Sequence, residues 1–180
     1  LEQALPGTVA QLALDSYYRD LSHLEPDQRA QVNFDAPDSL EHGLLRDHLT
    51  AIAQGHAIEV PVYSFAAHLR QTETQRLHPS DYLIIEGIFT LYWPEVRSLF
   101  DLSVFIAVDD ALSLERRTLR DVAQRGRTAA DVKQQYEQTV RPMYQQHIAP
   151  TQEHADLVLP GDQAIEHSVT KVLHRVPRQT

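Results

Sequence analysis

Short apolar runs alternate with segments of helical periodicity along most of this chain. The runs have the length of strands rather than helices, so they predict buried strands. They cover residues 8–14, 57–60, 82–85, 102–108 and 157–159. Residues 71–78 are polar with alternating threonines, which predicts an edge strand or one arm of a hairpin.

Helical periodicity is clearest after Pro37, where leucines recur at helical spacing from Leu40 until Gly55 ends the pattern. Residues 1–7 have the pattern of the closing turns of a helix. Further helices are predicted over residues 93–99, 111–124, 129–147 and 165–173. Strands that alternate with helices in this way are typical of an α/β fold with a mainly parallel sheet, and 180 residues suit a single domain.

The composition argues against several classes of protein. The formal net charge of −9 does not suit a general nucleic-acid-binding surface. The chain has no cysteine, which excludes disulfides and thiolate metal sites. No apolar run approaches the roughly 20 residues that a membrane-spanning helix needs, and no signal peptide is expected. We therefore expect a cytoplasmic protein with neither membrane nor nucleic-acid partners.

Acidic residues follow the predicted strands, at the end where ligands bind in open parallel sheets. Asp15 follows the first strand and could accept a proton from a substrate hydroxyl or help to hold a metal ion. Capping of the next helix is an equal alternative. Glu86 follows another strand and precedes Gly87, an arrangement similar to the acidic Walker B position that helps to hold Mg²⁺ near a triphosphate.

Arginines are concentrated between residues 116 and 127, which hold five of the sixteen basic residues of this acidic chain. Guanidinium groups bind phosphate oxygens two at a time, so the cluster favours phosphate recognition. Arg116 and Arg120 share one helix face. The alternative is a solvated helix face whose arginines pair with Glu115 and Asp121.

Two polar loops carry further candidates. Asp35 lies in a segment rich in Asn, Asp and Pro and could bind a sugar hydroxyl, although a helix entry explains the same residues. Tyr63 could stack on a planar base or lie in the core. His68 is a candidate ligand contact or an ordinary surface or core histidine.

Seven motifs follow one another along the chain: DSYY, NFDAPDSLE, PVYSFAAHLR, IIEGI, RRTLRDVAQRGR, QQYEQTVRPMYQQHIAP and HADLVLP. In this order they resemble the uridine kinase (uridine–cytidine kinase) family, within the phosphoribulokinase/uridine kinase group of P-loop kinases. The resemblance extends from about residue 12 to about residue 161. It implies a three-layer α/β/α fold of the P-loop kinase type with an arginine-rich lid at about residues 116–128.

The resemblance also implies a reaction. The family transfers a phosphoryl group from ATP or GTP, with Mg²⁺, to the 5′-hydroxyl of uridine or cytidine, which yields UMP or CMP for pyrimidine salvage. Asp15 matches the catalytic carboxylate that orients or deprotonates this hydroxyl, with Tyr18 beside it. Asp35 matches the residue that binds the ribose hydroxyls. Tyr63 and His68 match the pair that recognises the pyrimidine.

Contacts with phosphate, nucleotide and metal are implied in the same way. Glu86 matches a magnesium-associated carboxylate, and Asp162 a contact with the adenine of the nucleotide. The lid and the helix after it match contacts to phosphates or nucleoside, namely Arg117, Arg120, Arg125, Arg127 and Gln135. A homotetramer is the assembly that the resemblance implies.

The chain departs from the family pattern at several positions. Ser64 stands where the family has Asp, Ala36 where it has His, and Glu41 where it has Asp, and these changes bear on nucleoside choice. The Walker A pattern G-x-x-x-x-G-K-S/T is matched nowhere, since none of the six glycines precedes a lysine.

We therefore expect an N-terminally incomplete kinase domain, either a fragment or a product that has lost ATP binding, with little ATP turnover. The alternatives are another kinase of the same group, acting on a pentose phosphate or pantothenate, and a non-catalytic nucleotide-binding relic.

Overall fold

The computed structural model describes residues 1–29 and 31–177, with the side chains of all of these except Arg125. The chain divides into two compact units, Leu1–Asp101 and Leu102–Thr180, which are described in turn. No helix among the described residues is long and apolar enough to cross a membrane. That the 180 residues form one domain stays a prediction.

Two parallel strands organise the first unit. Strand β1 (Val9–Ala13) pairs along its whole length with a later strand (Tyr82–Glu86, β4), as the prediction of a mainly parallel sheet requires. Leu12 of β1 is buried, whereas β4 is only partly buried and not the fully buried strand predicted. Ala13 lies opposite Glu86, so the carboxyl ends of both strands meet at one edge.

An antiparallel hairpin lies between them in the chain, formed by β2 (Ile58–Ser64) and β3 (Leu69–Leu77). The hairpin alternative is thereby confirmed. The predicted end of β2 before Pro61 is wrong, because the register shifts between Pro61 and Tyr63, and such an irregularity tolerates a residue without an N–H. His68, in the turn, has a φ of 51°, in the left-handed region that non-glycine residues seldom adopt.

The helices of this unit are short, except for one. They are α1 (Pro26–Arg29), α2 (His42–Ala53) and α3 (Pro94–Arg97), with 3₁₀ turns at Glu2–Ala4, Leu14–Tyr17 and Pro37–Ser39. The helix predicted from Leu40 begins two residues later, because Leu40 forms a β-bridge with Tyr18 instead. Where the closing turns of a helix were predicted, Glu2–Ala4 form a 3₁₀ turn.

The core of the first unit lies beneath the carboxyl ends of β1 and β4. Its most buried side chains include Leu12, Leu14, Tyr17, Leu45, Phe89 and Val96. Gly87, directly after β4, passes against this core with a φ of 150°. A Cβ atom at this position would lie 2.3 Å from Cβ of Leu14, so only glycine fits there.

The second unit contains another parallel pair, β5 (Val104–Ala107) with β6 (Leu157–Pro160). Its helices are α4 (Asp110–Arg125), α5 (Ala129–Gln135), α6 (Arg141–Met143) and α7 (Ile165–Leu173). Turns of π-helix join α5 to α6 and continue to Ile148, close to the single helix predicted there. Both units combine parallel strands with helices, so the predicted α/β class is confirmed.

Caps at both ends fix the boundaries of α4. The carboxylate of Asp109 accepts a hydrogen bond from the N–H of Ala111 at 2.8 Å. Gly126 ends the helix in the left-handed conformation, with a φ of 64°. Such a C-terminal glycine turns the chain sharply. The residues after α4 therefore fold back toward its last turn.

Candidate functional site

Two carboxylates lie where β1 and β4 end. Glu86 is the last residue of β4, and Asp15 follows β1 by two residues, in the 3₁₀ turn. Ala13, not Asp15, occupies the N-cap position of this turn, so the capping alternative for Asp15 is wrong. Partial desolvation and the nearby charge of Asp15 together raise the pKa of Glu86.

A small cavity opens beside these carboxylates. It measures about 180 Å³ and is lined by Ser16 and Glu86 together with Val60 and Gln75 of the hairpin. Gln11, Leu12 and Ala13 complete the lining on the side of β1, so the cavity runs between β1 and the hairpin and reaches the strand end at Glu86. Ligands of open parallel sheets bind near such strand ends.

Aromatic side chains form a continuous cluster next to the Asp15 turn. The ring of Tyr18 lies 5.1 Å from that of Tyr63 and 5.4 Å from that of Phe34, measured between centroids. The ring of Phe34 stacks on His68 at 4.8 Å, with 17° between the planes. Phe65 contacts Tyr63 edge to face at 5.5 Å. Three of the predicted residues, Tyr18, Tyr63 and His68, are thus brought together.

The hydroxyl of Tyr63 is buried and has no hydrogen-bond partner among the described residues. Burial raises the pKa of Tyr63 to about 12, with Arg29 acting to lower it and Asp15 to raise it. A buried polar atom without a partner costs free energy unless another molecule supplies one. The Tyr63 hydroxyl therefore marks a place where a polar ligand atom would be stabilised.

Asp35 adjoins the same cluster through its neighbour in the chain. The hydroxyl of Tyr18 donates to the carbonyl oxygen of Phe34 at 3.3 Å. The N–H of Asp35 donates to Oδ1 of Asn33 at 3.1 Å, which closes a tight local turn. A 3₁₀ turn follows at Pro37–Ser39 with Asp38 in it, so the helix-entry alternative describes the backbone here, and a role of Asp35 in binding a sugar stays a prediction.

Two arginines that the sequence did not single out as ligands contact this region. Arg29 donates from Nη1 to the carbonyl oxygen of Ala67, in the hairpin turn, at 3.1 Å. Arg70 donates from Nη2 to the carbonyl oxygen of Tyr18 at 2.8 Å and from Nη1 to Glu41 at 2.5 Å. Each contact joins residues far apart in the sequence, so no local sequence pattern predicts it.

The arginines of the predicted lid lie around a buried carboxylate. Asp121 has no exposed side-chain surface, and three guanidinium groups surround it. Nε of Arg120 lies 2.9 Å from Oδ1, while Nε of Arg117 and Nη1 of Arg127 lie 3.7 and 3.9 Å from Oδ2. The predicted pairing of the arginines with Asp121 is confirmed. The prediction that the pair is solvated is wrong, because the Asp121 carboxylate is buried and the nearby guanidinium groups offset the cost of removing its charge from water.

The remaining predicted residues of the second unit are Gln135, Asp162 and Arg125. Nη1 of Arg127 donates a short hydrogen bond to Oε1 of Gln135, which joins the turn after α4 to α5. Asp162 lies in the exposed turn after β6, on a different segment from the arginines. The side chain of Arg125 lies outside the described residues. The functional roles of all these residues stay predictions.

Parallel strands with carboxylates at their ends, and arginines in α4 and the turn after it, are features that kinases with a P-loop-type fold share. Residues 3–166 match the family described as phosphoribulokinase/uridine kinase family. The chain is 47% identical over 149 residues to the uridine kinase of Shewanella halifaxensis, covering 83% of this chain and 70% of that protein. It is 38% identical to the uridine kinase of Chloroflexus aggregans, covering 98% and 84%. The chain therefore belongs to the phosphoribulokinase/uridine kinase family.

Solved structures agree on the fold. Phosphoribulokinase from Rhodobacter spheroides superposes with a TM-score of 0.64 at 16% identity, covering 84% of this chain and 60% of that one. D-glycerate 3-kinase from Cryptococcus neoformans gives a TM-score of 0.56 at 17% identity, covering 80% and 70%. The predicted P-loop kinase fold is confirmed by these neighbours.

Proposed function

We propose that this chain carries the nucleoside site of a uridine/cytidine kinase, which transfers a phosphoryl group from ATP or GTP to the 5′-hydroxyl of the nucleoside. The products are UMP and CMP. Two relatives that match most of the chain are named uridine kinases. Family membership supports a kinase, and the residues of the first unit support a nucleoside as its substrate.

The observation that carries the proposal is a cluster of aromatic side chains next to the turn that holds Asp15. Tyr18 and Tyr63 lie in ring contact, and the charge of Asp15 is close enough to act on the Tyr63 hydroxyl. A pyrimidine offers a flat ring to the aromatic groups and polar edge atoms to a buried hydroxyl. A pentose phosphate or pantothenate has no aromatic ring to place there.

The positions of these residues assign each of them a role in binding the nucleoside. Tyr63 and His68 would bind the base, and Asp35 would accept hydrogen bonds from the ribose hydroxyls. The 5′-hydroxyl would then lie toward the strand ends, where Asp15 accepts its proton or orients it. Holding the hydroxyl in line with the phosphoryl group supplies most of the catalysis in such transfers.

The carboxylates at the strand ends also fit Mg²⁺. Carboxylate oxygens are ligands that Mg²⁺ prefers, and the mutual repulsion of Asp15 and Glu86 would be relieved by a cation. The described residues contain no group of three or more His, Cys, Asp or Glu suited to a metal. Mg²⁺ in kinases is held by one or two carboxylates together with substrate phosphates, so two suffice. When bound, the ion neutralises charge on the phosphates.

The lid arginines would contribute to phosphate and nucleoside binding. Asp121 neutralises only part of the charge of Arg117, Arg120 and Arg127, because one carboxylate faces three guanidinium groups. The four side chains together carry a net positive charge, which would attract anionic substrate groups. Arg125 and Asp162 stay predicted contacts of the nucleotide. Tetrameric assembly and cytoplasmic location likewise stay predictions.

Calorimetric titration tests the proposal directly. We expect uridine and cytidine to bind the protein, and ribulose 5-phosphate and pantothenate not to bind. His68→Ala should weaken uridine binding about tenfold. His56→Ala is the matched control, because His56 is exposed just after α2, and it should leave the affinity unchanged. Absence of saturable nucleoside binding, or preference for a sugar phosphate, would overturn the proposal.

A second measurement concerns turnover by the 180-residue polypeptide itself. Its six glycines and two lysines form no G-x-x-x-x-G-K-S/T loop, whose amides and lysine cradle the phosphates in P-loop kinases. We expect it to bind uridine but to release little ADP in a coupled assay with uridine and ATP. Clear turnover would contradict this expectation and leave the nucleoside assignment intact.

A further inference from the structure

Arg70 occupies a central position in the first unit. It lies on β3 directly opposite Tyr63 of β2, and only 18% of its side chain is exposed. Its guanidinium group points away from the hairpin and makes two contacts. Nη1 lies 2.5 Å from Oε2 of Glu41, and Nη2 donates to the carbonyl oxygen of Tyr18 at 2.8 Å.

The two acceptors belong to segments that are already joined. The N–H of Glu41 donates to the carbonyl oxygen of Tyr17, and the N–H of Arg19 to that of Ser39, both at 2.9 Å. The Asp15 turn and residues 39–41 therefore form one short β-like ladder. Arg70 attaches the hairpin to this ladder from the side.

Geometry separates this contact from an ordinary surface ion pair. An exposed pair gains little, because water screens it and both side chains lose freedom. Arg70 instead uses two donors of one rigid fork, one on a carboxylate and one on a backbone carbonyl. A lysine has a single ammonium group and cannot span both acceptors in the same way. The contact thus fixes a distance as well as a charge.

We propose that Arg70 is a positioning residue that sets the separation between the base-binding hairpin and the Asp15 turn. The proposal rests on the proposed function, since it assigns Tyr63 to the base and Asp15 to the 5′-hydroxyl. These groups lie at opposite ends of one nucleoside. A site that binds both ends needs their separation held to within a fraction of an ångström.

Three variants and one control test this role. Arg70→Met removes both contacts, Arg70→Lys keeps the positive charge without the fork, and Glu41→Gln removes the carboxylate while leaving the Tyr18 contact. Arg76→Met is the matched control, because Arg76 lies on the same strand and pairs with Glu59 at 3.7 Å on the exposed face, with 65% and 53% of the side chains exposed.

Amide hydrogen exchange provides the first readout and needs no ligand. We expect the amides of Arg19 and Glu41 to exchange about tenfold faster in Arg70→Met than in wild type, and at the wild-type rate in Arg76→Met. In Arg70→Lys the same two amides should also exchange faster than in wild type, but by a smaller factor. Should Arg70→Met not fold, Arg70→Lys decides the question. Unchanged exchange at both amides would overturn the proposal.

Uridine affinity, measured well below the melting temperature of each variant, provides the second readout. We expect losses of about tenfold or more in Arg70→Met and several-fold in Arg70→Lys, with no loss in Arg76→Met. A lower melting temperature with wild-type affinity would show a merely structural residue and overturn the proposal. If wild type itself binds no nucleoside, the proposed function fails, and hydrogen exchange still decides whether Arg70 holds the two segments together.

Discussion

Asp121 and Arg127 lie on either side of the Gly126 turn, and the chain folds back so that the carboxylate of one faces the guanidinium group of the other. Nη1 of Arg127 lies 3.9 Å from Oδ2, and the backbone N–H of Arg127 donates to the carbonyl oxygen of Asp121. Arg127 also donates to Gln135. The end of α4, the turn and the last residue of α5 are therefore linked to one another through Arg127, which faces the buried charge of Asp121.

Asp121→Asn should destabilise the protein. The substitution keeps the shape but leaves three arginines without their buried counter-charge, and loss of one partner of a buried pair typically costs about 3–5 kcal/mol. Because the arginines are 20–46% exposed, we expect a smaller cost of about 2 kcal/mol in urea unfolding. Glu115→Gln, on an exposed position of the same helix, should stay within about 0.5 kcal/mol of wild type. Equal stability of the two variants would contradict the role of Asp121.

Tyr63→Phe should change stability and binding in opposite directions. The hydroxyl is buried without a partner among the described residues, so its removal should raise the free energy of unfolding by up to about 1 kcal/mol. Uridine affinity should fall about tenfold, because the ligand loses its hydrogen bond. Denaturant unfolding and calorimetry measure the two effects. A variant that binds uridine as wild type does would show that the hydroxyl is not a ligand contact.

Glu86→Gln should stabilise the protein in a pH-dependent way. The folded state raises the pKa of Glu86 above its ordinary value of 4.5, so it holds this proton more tightly than the unfolded state. The resulting penalty is absent below pH 4.5, appears as the pH rises through that value, and is complete above the folded pKa. The stability difference between Glu86→Gln and wild type should therefore be near zero in acid and largest at neutral pH. A difference that does not vary with pH would mean that Glu86 titrates normally.

Gly87→Ala and Gly43→Ala form a matched pair. At Gly87 a Cβ would lie 2.3 Å from Cβ of Leu14 with a φ of 150°, whereas at Gly43, in α2, it would meet nothing within 4 Å. We expect Gly87→Ala to cost about 3 kcal/mol or more. Gly43→Ala should instead stabilise by about 0.5–1 kcal/mol, because alanine favours a helix. Thermal unfolding compares the two variants. A Gly87→Ala protein as stable as wild type would contradict the close approach of Gly87 to Leu14.

Local patterns were enough to predict the elements but not the contacts between them. The helix at Ile165–Leu173 has the predicted bounds, because its periodicity is strong and nothing distant competes with it. Leu40 fits a helical pattern equally well, yet it forms a β-bridge with Tyr18, a partner 22 positions away in the chain. Pro61 favours the end of a strand on local grounds, but a register shift in the hairpin accommodates it.

For the candidate site, too, the sequence predicted individual residues but not the contacts between distant ones. The resemblance to a kinase family supplied Asp15, Tyr63 and His68, which the structure places around one aromatic cluster and strand end. Arg29 was missed because its acceptor is a backbone carbonyl far along the chain. The burial of Asp121 was missed as well, since a charged residue between arginines on a helix is usually solvated.

The hairpin is attached at two places near its tip, by Arg29 at the turn and by Arg70 at the start of β3. Both contacts oppose a hinge motion of the strand pair relative to the rest of its unit. In the proposed nucleoside site, replacing Ser64 or Phe65 would change the side chains next to Tyr63 and leave both attachments of the hairpin in place. A family whose members act on different substrates by one reaction would benefit from this arrangement. The residues that select the substrate could change while the position of the reacting hydroxyl stays the same.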